Sequence, residues 1–335
     1  MLSYAIIGFG GLGKLHLYNL DELSKKRGDF CLRAICGASA ESFKQAVNLN
    51  LNTVDISHMN ADNISFYDDY KELIDREMPD FIISAMPTYM HEEVAVYALK
   101  KGIHVFSEKP MALTEESCRN ILDTANSNGC KLMIGHCLRF DPAYAMLKSY
   151  IDSGCFGKPY RAEFTRYSKT PKWTYNNWIL DPEKSGGCIL DMHIHDVDLI
   201  NWFFGMPNCL QSDITEHKTK LESVFTHYYY DGLTVIAGAD WSMPEKYPFT
   251  VRALINFENA TAELKDGKLT VYTDDGIITP ELSEETCFQR EMDAFLKFVA
   301  DDIPCSQANP ESIFGSVKIA LAEEKSAKSG KKIVL

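Results

Sequence analysis

The spacing of hydrophobic positions changes near Asp141 and divides the chain into two parts. Before that residue, short apolar runs alternate with amphipathic stretches at helical spacing. This alternation predicts an α/β domain with a mostly parallel, doubly wound sheet. After it, strand-like runs follow one another, with turn sequences between several of them, and they predict an antiparallel sheet.

The same patterns give the individual elements. In the first part, the predicted strands are the apolar run before Gly8, Phe30–Cys36, Phe81–Ser84, Ile103–Phe106 and Lys131–Ile134. The predicted helices of this part are Ala40–Leu49, Glu92–Lys101 and a helix that starts at Thr114. In the second part, strands are predicted at Tyr160–Tyr167, Leu210–His217, Ser223–Tyr230, Leu233–Trp241, Thr250–Phe257 and Thr261–Leu264. Helices are predicted at 142–152, 192–204, 285–301 and 310–329.

The first apolar run ends in glycines at the spacing Gly8-x-Gly10-x-x-Gly13, and a helical stretch follows. Gly8 permits a tight turn, Gly10 lets the backbone approach a pyrophosphate, and Gly13 allows helix and strand to pack closely. The amides at the helix start would then face the phosphates. We therefore predict a dinucleotide site formed by Gly8, Phe9, Gly10, Gly11, Leu12 and Gly13. A plain glycine-rich turn is the alternative.

Length and charge limit the classes of function. A chain of 335 residues suffices for two domains, and its apolar (45%) and charged (24%) fractions are ordinary for a globular protein. The net charge of −13 argues against binding to nucleic acid or to a membrane surface. Neither a membrane helix nor a signal peptide is expected. The ten cysteines are dispersed without a Cys-x-x-Cys pair, which predicts a reducing, cytoplasmic location.

A carboxylate and an imidazole lie four residues apart in the second part, at Asp191 and His195, shortly after the pair Gly186-Gly187. On an α-helix, this spacing places both side chains on one face. An imidazole exchanges protons near neutral pH, and a nearby carboxylate fixes its orientation. Beside a nucleotide-binding signal, the pair indicates redox chemistry on an alcohol. Alternatively, His195 is a structural histidine, and Asp191 caps a helix that begins near Met192.

A third candidate cluster is Ser107-Glu108-Lys109-Pro110, which directly follows a predicted strand. Ligands of doubly wound sheets bind outside the carboxyl ends of the strands, so Lys109 is placed to meet a cofactor or a substrate. The proline restricts the local backbone and therefore the directions in which Lys109 can point. Taken alone, the sequence Glu-Lys-Pro is also typical of a solvated turn.

These motifs occur together and in order in a known family. The glycine motif, the Glu-Lys-Pro sequence and the Gly-Gly pair followed by Asp191 and His195 resemble the glucose-fructose oxidoreductase and inositol dehydrogenase (Gfo/Idh/MocA) family over essentially the whole chain. The resemblance implies an α/β Rossmann domain at 1–136 that binds NAD or NADP. It also implies a substrate-binding and oligomerisation domain at 137–335, of α+β class, with a large, mostly antiparallel open sheet.

The resemblance implies roles for single residues. Lys109 would contact the substrate hydroxyl, His195 would be the general acid/base, and Asp191 would position the substrate or support the proton transfer. Besides the glycine motif, the cofactor would be contacted by Met86, Pro87, Thr88, His91, Glu108 and Lys109. The substrate would be contacted by Lys109, Arg166, Tyr167, Trp178, Asp191 and His195. For Arg166, Tyr167 and Trp178, packing is an equal alternative. The segment Arg139-Phe140-Asp141-Pro142 resembles the family's interdomain segment.

We predict an NAD(P)-dependent oxidoreductase that transfers a hydride between nicotinamide and a secondary alcohol of a sugar, inositol or related polyol. Two other classes stay open. A metal-dependent hydrolase would use Asp191, His193, His195 and Asp196 as ligands. The apolar pattern that continues beyond them favours a helix, on which His193 and His195 diverge. A non-catalytic regulator would use the same fold to sense a dinucleotide.

The choice between NAD and NADP depends on the residues that follow the second strand. NAD-specific sites carry an acid there, which binds the ribose hydroxyls, but this chain has no carboxylate before Glu41. Ser39 could donate a hydrogen bond to the cofactor, and Arg33 or Lys44 could add positive charge. The sequence predicts that NADP is accepted, with a slight lean toward it over NAD.

Members of this family commonly use the open sheet for subunit contacts, so we expect a homo-oligomer, either a dimer or a tetramer. Tyr228, Tyr230 and Trp241 are candidates for buried strand positions. The alternative is that these residues form an internal core that serves a single chain.

Overall fold

The computed structural model describes residues 1–45, 47–48 and 53–335, and it gives side chains for 1–45 and 54–335. These residues form two compact units. The first unit consists of Met1–Ala112, Glu116–Cys137 and Cys287–Pro310, and the second of Leu113–Glu115, Leu138–Thr286 and Glu311–Leu335. The expected single division after residue 136 therefore differs from this arrangement, because it assigned residues 287–310 to the second domain.

The first part of the chain alternates strands with helices. The strands are β1 (Leu2–Ile7), β2 (Phe30–Cys36), β3 (Val47–Asn48), β4 (Thr53–Val54), β5 (Ser65–Tyr67), β6 (Phe81–Ser84), β7 (His104–Glu108) and β8 (Leu132–Gly135). The helices are α1 (Gly11–Arg27), α2 (Ala40–Phe43), α3 (Tyr70–Glu77), α4 (His91–Lys100) and α5 (Glu115–Ser127). The predicted strands Phe30–Cys36 and Phe81–Ser84 are confirmed, and β5 and α3 are additions to the prediction.

Six of these strands form one parallel sheet in the order β5-β2-β1-β6-β7-β8. Every residue of β6 and of β8 is buried, as expected for strands that are covered on both faces. The order reverses direction beside β1, and ligands of such sheets bind at the carboxyl ends of the strands at that point. The predicted mostly parallel, doubly wound sheet is confirmed.

The predicted helix Ala40–Leu49 is wrong in its second half. Helix α2 ends at Phe43, and Val47–Asn48 pairs with Thr53–Val54 instead. Leu49 lies outside the described residues. The helix start is well determined, because Ser39 and Ser42 exchange side-chain and backbone hydrogen bonds in a capping box. Val47, an apolar position of the predicted helix, lies in a strand.

The second part of the chain supplies strands β9 (Pro159–Lys169), β10 (Cys209–Thr215), β11 (Ser223–Tyr230), β12 (Leu233–Met243), β13 (Thr250–Phe257), β14 (Thr261–Lys265), β15 (Lys268–Thr273), β16 (Gly276–Ile278) and β17 (Ile333–Val334). Its helices are α6 (Pro142–Ser153), α7 (Pro182–Ser185), α8 (Ile194–Phe204), α9 (Cys287–Asp301) and α10 (Pro310–Ser329). The strands form one sheet in the order β16-β15-β14-β13-β9-β12-β11-β10-β17. Within it β9 and β12 are parallel and the other described pairs are antiparallel, which confirms the predicted sheet type.

Helices of the second unit cover one face of this sheet. Phe203 of α8 lies 6.3 Å from Phe164 of β9 between ring centroids, and Ser326 of α10 accepts the backbone N–H of Ser212 in β10. On the covered face, Tyr228 and Trp241 are 0% and 1% exposed. These two residues, proposed above as buried strand positions, therefore belong to the core of a single chain.

The opposite face of the sheet, called here the outer face, carries the alternate residues of the same strands. Phe225, Ile236 and Tyr272 lie on it and are 45%, 38% and 42% exposed. Because successive strand residues face opposite sides, these residues lie on the face opposite Tyr228 and Trp241.

Helix α9 returns to the first unit after the second sheet is complete. The ring of Phe295 lies 5.6 Å from that of Phe81 and 5.5 Å from that of Phe106, which belong to β6 and β7. A second tie is the guanidinium of Arg27 in α1, which is bound in two places by the carboxylate of Asp301. The apolar face of α9 thus completes the core beside the parallel sheet.

Two further features of the described residues bear on the sequence predictions. None of the described helices is both long and apolar enough to cross a lipid bilayer. All ten cysteines are free thiols.

Glu291 of α9 is a carboxylic acid buried in the first unit, and it generates a prediction about stability. It is 0% exposed, and neither of its oxygens meets a hydrogen-bond partner among the described residues. Burial, with the charges of Cys137 and Glu108, raises the pKa of Glu291 well above its ordinary value of 4.5. The folded protein therefore holds this group protonated at a pH where the unfolded chain releases the proton.

We predict that Glu291→Met becomes progressively more stable than the unmodified protein as the pH rises. The stability associated with protonated Glu291 is complete below pH 4.5 and is lost as the pH rises toward its raised folded-state pKa. Across that window, the difference in unfolding free energy should grow by about 1.4 kcal/mol per pH unit. Urea unfolding at several pH values measures it, with the exposed residue change Glu284→Met as control. A difference that does not depend on pH would mean that Glu291 is ionised in the folded state.

Candidate active site

The turn between β1 and α1 has the steric features that a dinucleotide loop needs. Gly8 has a φ of +90°, and a side-chain carbon there would lie 2.6 Å from the backbone oxygen of Ala85. A side-chain carbon on Gly13 would lie 2.2 Å from the backbone oxygen of Gly8. At Gly10, by contrast, such a carbon would meet no atom within 4 Å. The tight turn, the close helix–strand packing and the open approach therefore fall on the glycines for which they were predicted.

The residues beside these glycines differ in burial and in what they contact. Phe9 is buried and stacks on Phe43 of α2, with ring centroids 5.6 Å apart. Its side chain therefore packs inward, and a cofactor could meet its backbone. Gly11 and Leu12 are half-buried in the first turn of α1, where no acidic residue lies. The first-turn amides are thus available to an anion.

The loop after β2 is held by a lysine that the sequence analysis missed. Lys14 of α1 is 4% exposed, and its ammonium donates to the backbone oxygens of Ser42 and Gln45. Ser39 is exposed at the start of α2, where its side chain serves as the helix cap. Arg33 is also exposed. The ammonium of Lys14 therefore lies beside the described part of this loop. The first carboxylate after β2 is that of Glu41, two residues after Ser39.

The loop after β6 contains Met86 and Pro87, which are half-buried, and Thr88, which is buried. The prediction of a cofactor contact by His91 needs correction, because this side chain is a buried link between two loops. Its Nδ1 lies 2.7 Å from the carbonyl oxygen of Pro110, and its Nε2 lies 2.9 Å from that of Met86. Burial lowers the pKa of His91. A neutral ring has one N–H, so it donates to one of these two carbonyl oxygens, and it lies buried between the two loops.

At the end of β7, the Glu-Lys-Pro sequence turns with a cis peptide bond between Lys109 and Pro110. The carboxylate of Glu108 is buried, and its Oε1 lies 2.6 Å from Nε2 of His16 in α1. Its Oε2 accepts the backbone N–H of Lys109 at 3.3 Å. Glu108 is therefore anchored inside the unit, and its side chain holds the backbone of Lys109.

Lys109 is the exception in a buried segment. Between residues 105 and 112, all other residues are buried, and Lys109 alone is half-buried. It lies at the carboxyl end of a parallel strand, on the side of the sheet where ligands of this fold bind. A cationic side chain that reaches solvent from an otherwise buried segment is well suited to meet an oxygen atom of a ligand.

In the second unit, Gly186 and Gly187 precede the helical segment for a steric reason. Both have positive φ angles, and added side-chain carbons would lie 2.4 Å from the Leu190 side chain and 2.6 Å from that of Leu221. The chain then forms a π-helical turn, Ile189–His193, which continues directly into α8. Turns of this kind are frequent at functional sites.

The π-helical turn corrects two sequence interpretations. Asp191 lies inside it, so it does not cap a helix that begins near Met192, and the residue before α8 is His193. The predicted α-helical relation between Asp191 and His195 also changes, because a π-helical turn has a different angle per residue from an α-helical one.

Exposure singles out the same two residues. From 185 to 201, every residue is buried except Asp191 and His195, which are both half-buried. The segment therefore presents one carboxylate and one imidazole to solvent and keeps all other side chains inside. This pattern is the second-unit counterpart of the one around Lys109.

Two buried ion pairs hold the segment that carries His195. Asp196 accepts from Nε and Nη2 of Arg166, both at 2.9 Å, and Asp198 accepts from Nε and Nη2 of Arg139 at 2.8 and 2.7 Å. All four side chains are buried. For Arg166, the two hydrogen bonds to Asp196 favour the packing alternative over a substrate contact. Removing one partner of a buried pair typically costs about 3–5 kcal/mol.

The other predicted substrate residues lie in different places. Tyr167 is half-buried and follows Arg166 in β9, so the two side chains point to opposite faces of the sheet. They cannot line the same pocket. Burial raises the pKa of Tyr167. Trp178 is half-buried in a 3₁₀-helical segment, Tyr175–Leu180.

The ligand set of a metal-dependent hydrolase is not assembled by the described residues. His193 is fully buried, with Nε2 3.2 Å from the hydroxyl of Tyr228 and 3.3 Å from Oε1 of Glu323. Asp196 is bound to Arg166. Among residues 1–45 and 54–335, no group of three or more His, Cys, Asp or Glu side chains is arranged to hold a metal ion. Two of the four candidate ligands are thus engaged elsewhere.

Sequence reasoning missed His16, although one signal for it exists. The buried stripe of α1 contains Gly13, Leu17 and Leu20, and His16 is a polar residue within this stripe. A polar residue on the buried side of an amphipathic helix requires a partner in the core. The sequence shows that requirement, but it does not show that Glu108, 92 residues away, meets it.

Comparison with known proteins agrees with this geometry. Residues 2–136 match the model of the Gfo/Idh/MocA oxidoreductase family with an NAD-binding Rossmann fold, and residues 144–279 match the family's C-terminal domain. A levoglucosan dehydrogenase solved in complex with NADH and levoglucosan superposes with a TM-score of 0.84 at 17% identity, over 99% of both chains. At this identity, the likeness shows the fold.

Relatives with curated names match over part of the chain. An inositol 2-dehydrogenase/D-chiro-inositol 3-dehydrogenase of Lactiplantibacillus plantarum is 26% identical over 59% of this chain and 51% of its own. A 2,7-anhydro-N-acetylneuraminate hydratase of Mediterraneibacter gnavus is 31% identical over 41% of this chain and 36% of its own. The chain thus spans about half or less of the length of these two relatives. With both family domains matched in order, the chain belongs to the Gfo/Idh/MocA oxidoreductase family.

Proposed function

We propose that the chain is an NAD(P)-dependent dehydrogenase that oxidises a secondary alcohol of a sugar, inositol or related polyol. The observation that carries this proposal is the exposure pattern. Two otherwise buried segments present a lysine at position 109 and a carboxylate and an imidazole at positions 191 and 195. An ammonium, an imidazole and a carboxylate are the groups that alcohol oxidation requires from a protein.

Bound NAD(P) supplies the hydride acceptor. The glycine turn and the first-turn amides of α1 would hold its pyrophosphate, and the loops that contain Met86 and Lys109 would lie beside it. Lys109 stabilises the negative charge that develops on the substrate oxygen as its proton leaves. His195 accepts that proton, and Asp191 orients the substrate or the imidazole.

The substrate class rests on relatives and on the polar character of the side chains that reach solvent. The named inositol dehydrogenase and the levoglucosan complex concern a cyclic polyol and an anhydro sugar. Half-buried Trp178 remains a candidate for substrate contact. A dinucleotide-sensing regulator is the less favoured class, because it would have no use for half-buried Lys109, Asp191 and His195 in segments that bury all their other residues.

We predict that Lys109→Ala and His195→Ala each lose most turnover and keep their fold and cofactor affinity. Loss of a positioned acid/base or of a charge-stabilising group typically lowers the rate by about 10²–10⁴-fold. Steady-state kinetics on the best substrate of a polyol and sugar panel measure the effect, and circular dichroism and cofactor titration check the fold and the site.

Lys101→Ala and His217→Ala serve as matched controls, because both side chains are exposed and lie outside the proposed site. Near-normal turnover in both test variants would reject the assignment. The panel must include product analysis, since one relative is named a hydratase. A product at the oxidation level of the substrate, with no net change in cofactor, would contradict a dehydrogenase.

We propose that NADP is accepted, with a slight lean over NAD. The support is a loop without an acid directly after β2, together with the fixed charge of Lys14 beneath the same loop. Ser39, in the third position after β2, is exposed toward solvent. No acid there would repel a 2′-phosphate.

The test variant is Ser39→Asp, with Ser39→Asn as its neutral match. Both residues cap helices as well as serine does, so the start of α2 should persist. We expect the aspartate to weaken NADP binding by at least about 10-fold through charge repulsion and to change NAD binding little, while the asparagine changes neither. Titration of both cofactors gives the dissociation constants. Strong NAD preference in the unmodified protein would show that Glu41 or another acid reaches the ribose.

We propose that the outer face of the second sheet binds a second copy of the chain. Phe225 and Ile236 are exposed near its centre, where Gly238 leaves room for the Phe225 ring. Ion pairs such as Arg252–Glu263, at 2.7 Å, lie on the same face. An apolar centre with charged neighbours is typical of an interface. We therefore propose a homo-oligomer. We also propose a cytoplasmic location, because ten free thiols fit a reducing environment.

We predict a dimer or larger assembly at micromolar concentration, which Ile236→Lys converts toward monomer. A lysine at this position would place a charge in the apolar centre, where burial without a partner is unfavourable. Light scattering measures the mass of both proteins. Ile303→Lys, at an exposed position of the first unit, is the control and should leave the mass unchanged. A monomeric unmodified protein would reject this proposal.

A further inference from the structure

Glu108 is a buried acid that stands directly before the proposed reactive lysine, and its charge requires an explanation. It is 5% exposed. Burial alone would raise its pKa, but the hydrogen bond and charge of His16 outweigh that effect, and the net pKa of Glu108 is lowered. The carboxylate is therefore ionised and can only accept hydrogen bonds. It follows that His16 Nε2 is the donor across the 2.6 Å contact.

His16 is placed for this one polar contact. Its ring is fully buried and packs edge-on against Phe106, at 5.2 Å between centroids, and against Phe288, at 6.4 Å. Its Nδ1 meets no hydrogen-bond partner among the described residues. Apolar contacts thus fix the ring, and Glu108 is its polar anchor.

The second carboxylate oxygen of Glu108 binds the backbone of Lys109. Oε2 accepts the backbone N–H of Lys109 at 3.3 Å, while Oε1 is held by His16. His16 lies three residues after Gly13, on the same helix whose first turn forms the glycine loop. One rigid helix therefore sets both the dinucleotide loop and, through Glu108, the backbone from which the Lys109 side chain extends.

Strand β8 packs closely against the His16–Glu108 pair. A side-chain carbon at Gly135 of β8 would lie 2.9 Å from the ring of Phe106 and 3.5 Å from Oε1 of Glu108. The neighbouring strand thus packs against the pair closely enough that a larger residue would disturb it. The carboxylate has no room to choose another partner on that side.

We propose that His16 is a positioning residue, which holds the Lys109 backbone through Glu108 at a fixed place relative to the dinucleotide loop. This inference rests on the proposed role of Lys109 in alcohol oxidation. If the pair served stability alone, its loss would lower the unfolding free energy and leave turnover of the folded protein unchanged. If it positions Lys109, the rate constant of turnover falls even in fully folded protein.

The experiment compares His16→Leu, which removes the donor and keeps an apolar side chain, with His16→Gln, whose amide Nε2 carries N–H groups at a similar reach. We expect kcat of His16→Leu to fall on the order of 10- to 100-fold, because small misplacements of a catalytic group have effects of this size. The dissociation constant of the cofactor should change by less than about 3-fold, since the glycine loop is intact. His16→Gln should recover most of kcat.

His104→Leu is the matched control, because His104 lies at the other end of β7 and does not contact Glu108. A second readout does not depend on activity. Hydrogen exchange of the peptide that spans 105–112, followed by mass spectrometry, should be faster in His16→Leu than in His104→Leu and the unmodified protein. This readout distinguishes the two proposals: faster exchange in a protein without dehydrogenase activity would overturn the function and leave the positioning contact standing.

Two results would overturn the inference. One is unchanged kcat in folded His16→Leu. The other is unchanged exchange over 105–112 in that variant. If His16→Leu does not fold, His16→Gln decides the matter in the same assays. Native kcat and native exchange in His16→Gln would support the role of His16 as the hydrogen-bond donor to Glu108. Loss of both in His16→Gln would contradict that role, because the glutamine amide can also donate.

Discussion

A carboxylate can stay inside a protein only with a partner, and this requirement fixes the two segments on which the proposed chemistry depends. Glu108, directly before Lys109, is held by His16, and Asp196, directly after His195, is held by two nitrogens of Arg166. In each unit, the acid and its partner are buried, while the adjacent residue, for which a role in the reaction is proposed, is half-buried. The acid thus anchors the backbone beside a residue that is proposed to act on the substrate.

Backbone sterics provide the complementary constraint in the first unit. The turn from β1 to α1 exists in this form because Gly8 and Gly13 have no side chains that would strike the backbone nearby. The same helix carries His16 on its buried side. Its first turn is therefore suited to a phosphate group, and its next turn reaches the anchor of Lys109, so two parts of the proposed mechanism depend on one element.

Local rules predicted the features that depend on neighbours in sequence. The glycine roles follow from φ and close approach, and strands such as Phe81–Ser84 follow from short apolar runs. The π-helical turn was not predictable from spacing, because the rule that places residues four apart on one face assumes an α-helix. Asp191 therefore received a capping alternative that its position inside the turn excludes.

Long-range partners account for the remaining differences. For Arg166, the sequence leaves packing and substrate contact as equal alternatives, since its partner Asp196 lies 30 residues away and nothing in the sequence joins them. Its place in the chain puts helix α9 in the second domain. Its Phe295, however, packs against the rings of Phe81 and Phe106 in the first unit. Tyr228 and Phe225 face opposite sides of the sheet because strand residues alternate, and which side the helices cover depends on contacts between distant residues.

The most direct test of the proposed chemistry follows deuterium from the carbinol carbon of cyclic polyols, aldoses and anhydro sugars during turnover with NAD and NADP. Mass spectrometry of the recovered cofactor and product measures where the label goes. We expect the deuterium on the reduced nicotinamide in an amount equal to the ketone formed. Label that is released to water, or retained in a product at the oxidation level of the substrate, would contradict it.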